Sequence, residues 1–127
     1  MVSIHTKTAG YSPCGHPVTA QAACEVLRDG GNAFDAVIAA QFVACVVEPV
    51  LASLGGGGFL LAHALNQQPT IYDFFVQTPR NRSPDACELL PIEVDFGATT
   101  QAFHVGPASI ATPGMVKGLF AIFADLA

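Results

Sequence analysis

Four consecutive glycines, Gly55 to Gly58, follow an apolar stretch closed by Pro49 and lead straight into Phe59-Leu60-Leu61. Glycine loses more backbone freedom on folding than any other residue. A run of it is tolerated where backbone must approach something closely, or where φ must turn positive. The plainer reading is a close helix–strand crossing inside a core. The sharper one is a row of backbone N–H groups lining a substrate or phosphate site. A phosphate loop needs a lysine and a hydroxyl after its glycines, and Phe59 follows here. A dinucleotide fingerprint follows a strand and opens a helix, whereas these glycines follow a helix and open a strand. An anion seat at a helix N-terminus is therefore not the natural reading.

The chain has 127 residues, the length of one ordinary domain. It is 51% hydrophobic and 12% charged, against a usual charged share of about 25%. So little charge predicts elements buried on more than one side and a surface that expects further chain or a partner. The net charge of −5 and the lack of a basic cluster leave no electrostatic footprint for nucleic acid. Cys14, Cys24, Cys45 and Cys87 are scattered, without ligand spacing, so no metal is expected. No apolar leader opens the sequence, which points to the cytoplasm. The longest uncharged helical stretch is too short for a bilayer, so no membrane partner is expected.

In order along the chain, Val2 to Tyr11 reads as a short strand and loop. A helix follows over Val18 to Arg28, with Pro17 at its first position and Val18, Ala22, Ala23, Val26 and Leu27 on the apolar face. Gly30-Gly31 ends it by a left-handed cap. Asn32 then caps a second helix, Ala33 to Val47, with Asp35 three residues on in a capping box. That helix is apolar almost all round and should be central and buried. Glu48, restricted by the following proline, reads first as a solvated carboxylate at its end, with a semi-buried one as the alternative. Phe59 to Leu65 is expected as a buried strand, returning after a polar turn as Thr70 to Val76. Asp85 to Ala108 reads as an irregular excursion. A short strand at Ala108 to Ala111 precedes a last helix, Met115 to Leu126, opened by Thr112 or Pro113. Its face should be Val116, Leu119, Phe120 and Phe123. The helix reaches the final residues without a cap, which leads us to expect a segment of a longer chain.

No self-contained active site is visible. His5, His16, His63 and His104 stand without a partner carboxylate or nucleophile at a suggestive spacing, and a histidine on a strand or turn is more often structural. Ser53-Leu54-Gly55 lacks the preceding glycine of a nucleophile elbow.

The order and spacing of several short motifs do carry a resemblance. They are Gly15-His16-Pro17-Val18-Thr19-Ala20, then Leu27-Arg28-Asp29-Gly30-Gly31-Asn32-Ala33-Phe34-Asp35-Ala36, Val47-Glu48-Pro49 and Leu54 to Phe59. Asp73-Phe74, Thr78-Pro79 and Gly106 to Gly114 complete the series. The sequence resembles the N-terminal part of the large subunit of a γ-glutamyltransferase, over nearly all of residues 1–127, read as an incomplete domain.

That resemblance implies an α+β fold: part of the αββα sandwich of N-terminal-nucleophile hydrolases, with helices packed on a mainly antiparallel sheet. It implies a precursor that cleaves itself and exposes a threonine at the start of a small subunit. The threonine would attack a γ-glutamyl or related amide and pass the acyl group to water or an amino acid. The partners implied are that small-molecule amide and the small subunit of the same precursor; no cofactor is implied. None of the catalytic machinery falls in this chain, since Thr99-Thr100 is followed by Gln101 and does not match the nucleophile motif.

One departure concerns substrate. Family members commonly read Asp-Phe-Arg-Glu-x-Ala-Pro, whose arginine binds the glutamyl α-carboxylate. Here Phe75 stands in that place, within Asp73-Phe74-Phe75-Val76-Gln77-Thr78-Pro79. A phenyl ring does not replace a bidentate cation. The candidate site residues are therefore Phe75, as a substrate-facing position, and Gly55, Gly56, Gly57 and Gly58, as a structural motif. Two other readings remain: a noncatalytic scaffold or binding domain derived from the same family, and a free-standing helical domain that self-associates through its apolar surface.

Overall fold

A computed structural model describes residues 14–81 and 88–127. The strand expected at Val2 to Tyr11 lies outside those residues, as do Arg82 and Cys87. The chain is of the α+β class. Helices α1 (Pro17–Arg28) and α2 (Ala33–Val47) precede the hairpin β1 (Phe59–Ala62) and β2 (Thr70–Asp73). A second hairpin, β3 (Leu90–Asp95) and β4 (Thr100–Val105), precedes a 3-10 turn at Pro107–Ser109 and the helix α3 (Met115–Leu126).

The helix ends follow from local chemistry. Pro17 opens α1, and His16 Nδ1 accepts the Val18 N–H at 3.2 Å. Gly30 takes φ 99°, a left-handed conformation that suits a residue without Cβ. Its N–H and that of Gly31 donate to Leu27 O and Val26 O at 3.3 and 3.0 Å, a Schellman closure. Asn32 Oδ1 accepts the Phe34 and Asp35 amides at 2.7 and 3.0 Å, and Asp35 Oδ2 accepts the Asn32 N–H at 2.9 Å. This is the capping box read from sequence.

Asn32 does one thing that the sequence did not suggest. Its Nδ2 donates to Leu126 O at 2.8 Å, so one side chain caps the start of α2 and a carbonyl at the end of α3. Asn32→Ala removes both functions. In urea denaturation of the intact protein it is expected to lower stability by about 1–2 kcal/mol, the upper part of the range for a lost cap.

Two cores meet at α2. Ala36 and Ala40 pack on Ala23 of α1, with Val26 and Leu27 beside them. Small residues on both helices let the backbones approach closely. The inward face of α1 differs from the expected one in that Thr19 is buried and Val18 is exposed. From another side of α2, Ile38 joins Met115, Leu119 and Ile122 of α3, with Phe42, Leu60, Tyr72 and Phe74 around them. The helix is not buried all round, because Val37 and Val46 remain exposed.

The buried face of α3 shares only Leu119 with the expected one. Met115, Gly118, Leu119 and Ile122 are buried, while Val116, Phe120 and Phe123 are exposed. Gly118 is the reason, since its missing side chain lets the Phe74 ring lie against the helix. The N-cap is Gly114, with no side-chain cap, and not Thr112 or Pro113.

In the first hairpin, β1 and β2 are antiparallel, with Phe59 opposite Asp73 and Leu61 opposite Ile71. Leu60, Ala62, Tyr72 and Phe74 turn toward the helices. Phe59, Leu61 and Ile71 are exposed on the other face, so this strand is covered on one side only. It is also shorter than expected and ends at Ala62.

Residues 90–105, read as irregular, form a regular antiparallel hairpin. Leu90 pairs with Val105, Ile92 with Phe103 and Val94 with Gln101. Its turn is fixed by Gly97 at φ 82° and by Asp95 Oδ1, which accepts the Gly97 N–H at 2.7 Å. The strand expected at Ala108 to Ala111 is instead the 3-10 turn, followed by a single bridge between Gln77 and Thr112. No helix among the described residues is long and apolar enough to cross a membrane.

Candidate functional site

The glycine run is where the two halves of the chain are joined. At the end of α2 the Leu51 and Ala52 amides donate to Glu48 O, each at 2.9 Å, which turns the chain after Pro49. Ser53 then organises the entry to the glycines. Its Oγ accepts the Gly55 N–H at 3.0 Å and its carbonyl accepts the Gly56 N–H at 3.1 Å. Gly56 O in turn accepts the Gly114 and Met115 amides at 2.9 and 3.0 Å. A backbone carbonyl of the run therefore serves the orphan donors at the start of α3, which lacks a side-chain cap. Gly58 pairs with Phe74 through two bonds, Gly58 N–H to Phe74 O at 3.3 Å and Phe74 N–H to Gly58 O at 3.0 Å.

None of the four glycines has positive φ. The need is for close approach. It is sharpest at Gly57, where a Cβ would lie 2.5 Å from Phe74 O, 2.7 Å from Val76 N and 2.8 Å from Phe75 C. At Gly55 only Ser53 Oγ would be near, at 3.5 Å, so a side chain fits there. The plainer of the two sequence readings thus explains Gly57. The other keeps a narrow basis, because the Gly55, Gly56 and Gly58 amides all donate within the chain. Gly57 alone of the four has no such bond among the described residues.

Beside this crossing lies an open cavity of about 350 Å³. Gln41, Leu51, Ser53 and the backbone of Gly56 to Gly58 line it, with Phe59, Phe74 and Met115. Among the described residues that line it, none is Lys, Arg, His, Asp or Glu. Phe75 adjoins it. Its ring stacks on Phe59 with centroids 5.4 Å apart and planes 11° apart. Its N–H donates to Asp73 Oδ1 at 3.0 Å. The fold therefore brings both sequence-derived candidates, the glycines and Phe75, to one edge of the first hairpin. Phe74, Gln41 and Met115 were not anticipated. A signal for Phe74 did exist in the spacing of Gly114, the N-cap of α3, and Gly118, four residues on, which leaves a groove at the start of the helix.

Glu48 corrects an expectation. It is half-buried and accepts the Thr19 Oγ1 hydrogen at 3.1 Å, and a Cβ on Gly15 would lie 3.0 Å from its Oε1. It ties the end of α2 to the first turn of α1. His16 is a helix cap, and His63 and His104 are exposed. Arg80, the nearer of two arginines in sequence to Phe75, is exposed. Below the hairpin, the Tyr72 hydroxyl donates to Asp125 Oδ2 at 3.2 Å. Loss of solvent and then that carboxylate push its phenol above the ordinary value.

Comparison with known proteins adds to this geometry. The profile of the gamma-glutamyltranspeptidase family matches residues 19–127. The glutathione hydrolase proenzyme of Bacillus subtilis (strain 168) is 36% identical over 112 residues, which are 87% of this chain and 18% of that protein. The acylase ACY 1 proenzyme of Pseudomonas sp. (strain V22) is 30% identical over 115 residues, 89% of this chain and 21% of that protein. Among solved structures, the Helicobacter pylori gamma-glutamyltranspeptidase superposes with a TM-score of 0.70 at 27% identity, covering 93% of this chain and 33% of that one. The chain spans about a fifth of the length of the curated relatives it matches.

Proposed function

The chain belongs to the γ-glutamyltranspeptidase family, and from that membership we propose that it is the N-terminal segment of a large subunit in an enzyme that cleaves or transfers acyl amides. The substrates are γ-glutamyl or related amides. The nucleophile is a threonine outside these residues, freed at the start of a small subunit when the precursor cuts itself. Its own terminal amine takes the hydroxyl proton as the hydroxyl attacks the amide carbon. Backbone N–H groups stabilise the oxyanion that forms. The amine of the substrate leaves, and water or an amino acid then takes the acyl group.

In this reading residues 1–127 catalyse nothing alone. They supply scaffold and one wall of the pocket, and the small subunit of the same precursor is their partner. The observation that carries the reading is the meeting of Gly56 to Gly58 with Phe59, on which Phe75 stacks, at one cavity inside the stretch that the family profile matches. The word proenzyme in the names of both relatives agrees with self-cleavage.

The test is to produce the intact precursor and follow it by gel electrophoresis and N-terminal sequencing. Two fragments are expected, the smaller beginning with threonine, together with hydrolysis of an acyl anilide. A precursor that stays in one piece and hydrolyses no acyl anilide would favour a noncatalytic scaffold and overturn the proposal.

A further inference from the structure

We infer that the acyl group taken at this site ends in an apolar, ring-bearing group and not in the zwitterionic end of a γ-glutamyl group. The inference rests on the proposed amide-cleaving activity and chooses among its substrates. Phe59 and Phe75 form a parallel pair at the edge of the cavity, 63% and 50% exposed. Val50 and Leu51 also line the cavity, 93% and 84% exposed. An exposed apolar cluster beside a cavity marks a place where another apolar group is to be covered. Stacked phenyl rings accept a third ring, offset or edge-on, in the geometries that aromatic pairs prefer.

Charge points the same way. The lining offers the Gln41 amide, the Ser53 hydroxyl and glycine backbone, all neutral. Asp73, whose carboxylate accepts the Phe75 N–H, is negative. A zwitterionic end would find Asp73 for its ammonium group but, among the described lining residues, no cation for its carboxylate, only the neutral donors of Gln41, Ser53 and Gly57. Neutral donors beside apolar walls suit an uncharged acyl amide. A cavity of about 350 Å³ lies at the small end of ligand sites and has room for an arylacetyl group.

The experiment compares phenylacetyl p-nitroanilide with γ-glutamyl p-nitroanilide on the intact, self-cleaved enzyme, wild type and Phe75→Ala. Phe75→Leu serves as a second variant that keeps bulk and loses the ring. We expect kcat/KM to favour the phenylacetyl substrate by about 100-fold. Phe75→Ala should lower it on that substrate by about 10-fold, chiefly through KM, the scale set by trimming one apolar contact from a pocket. Phe75→Leu should fall between, and both variants should lose less on the γ-glutamyl substrate than on the phenylacetyl one. An enzyme that self-cleaves yet prefers the γ-glutamyl substrate, or whose phenylacetyl kinetics ignore both variants, overturns this inference alone. Absence of both self-cleavage and turnover overturns the activity beneath it.

Discussion

Gly57→Ala is expected to destabilise the intact protein by about 3 kcal/mol or more, near the upper end for a single substitution. A methyl group there meets three backbone atoms, Phe74 O, Val76 N and Phe75 C, at 2.5 to 2.8 Å. Backbone paired in an antiparallel bridge cannot swing aside as a side chain can. Relief would break the Gly58–Phe74 pair and shift Gly56, whose carbonyl holds the first amides of α3. Gly55→Ala is the matched control. It meets only Ser53 Oγ at 3.5 Å, and it should change stability by less than about 0.5 kcal/mol, as for substitutions away from packed features. Thermal or urea unfolding of the two variants gives the comparison. Equal effects at both positions would mean that the close crossing is not what requires glycine.

The second large effect centres on Phe74. Phe74→Ala is expected to cost about 3–5 kcal/mol, as for other packed aromatic residues. This ring fills the groove at Gly118, approaches Gly58 and joins the core of Ile38, Met115, Leu119 and Ile122. Gly118→Ala should cost about 2 kcal/mol in the wild type, because the new methyl collides with the Phe74 side chain, an overpacking cost that outweighs alanine's better helix propensity. The two effects are coupled. In the Phe74→Ala background the cost of Gly118→Ala should drop by about 1 kcal/mol or more. It should not vanish, since the Phe74 Cβ is itself one of the colliding atoms. A double-mutant cycle with additive effects would separate the two residues.

The local parts of this fold were legible in the sequence. Pro17, Gly30 and the Asn32–Asp35 box mark the ends of α1 and α2 through bonds among neighbours. The glycine run and Phe75 were both visible as unusual. What was hidden is long-range. The importance of Phe74 lies in glycines from two distant stretches closing around it. The partial burial of Glu48 depends on Thr19, and the stacking of Phe75 on Phe59 depends on how the hairpin pairs. The second hairpin is a different failure. Leu90, Ile92 and Val94 alternate with polar or turn residues, and Phe103 and Val105 do likewise. The period of two was there, but Pro91, Asp95 and Gly97 drew the reading toward loop. On α3, the usual rule that large apolar residues face inward misled, because a glycine marks the packed face and three large residues do not.

The bond from Asn32 to Leu126 joins residues 94 apart. On a ribosome adding about 5–20 residues per second, Asn32 is made roughly 5–19 s before its partner carbonyl exists. The partners for the capping bonds of α1 and α2 are all made before that moment, while the Ile38 side of α2 still lacks α3. The amide of one asparagine is then the latch that the late-arriving helix closes.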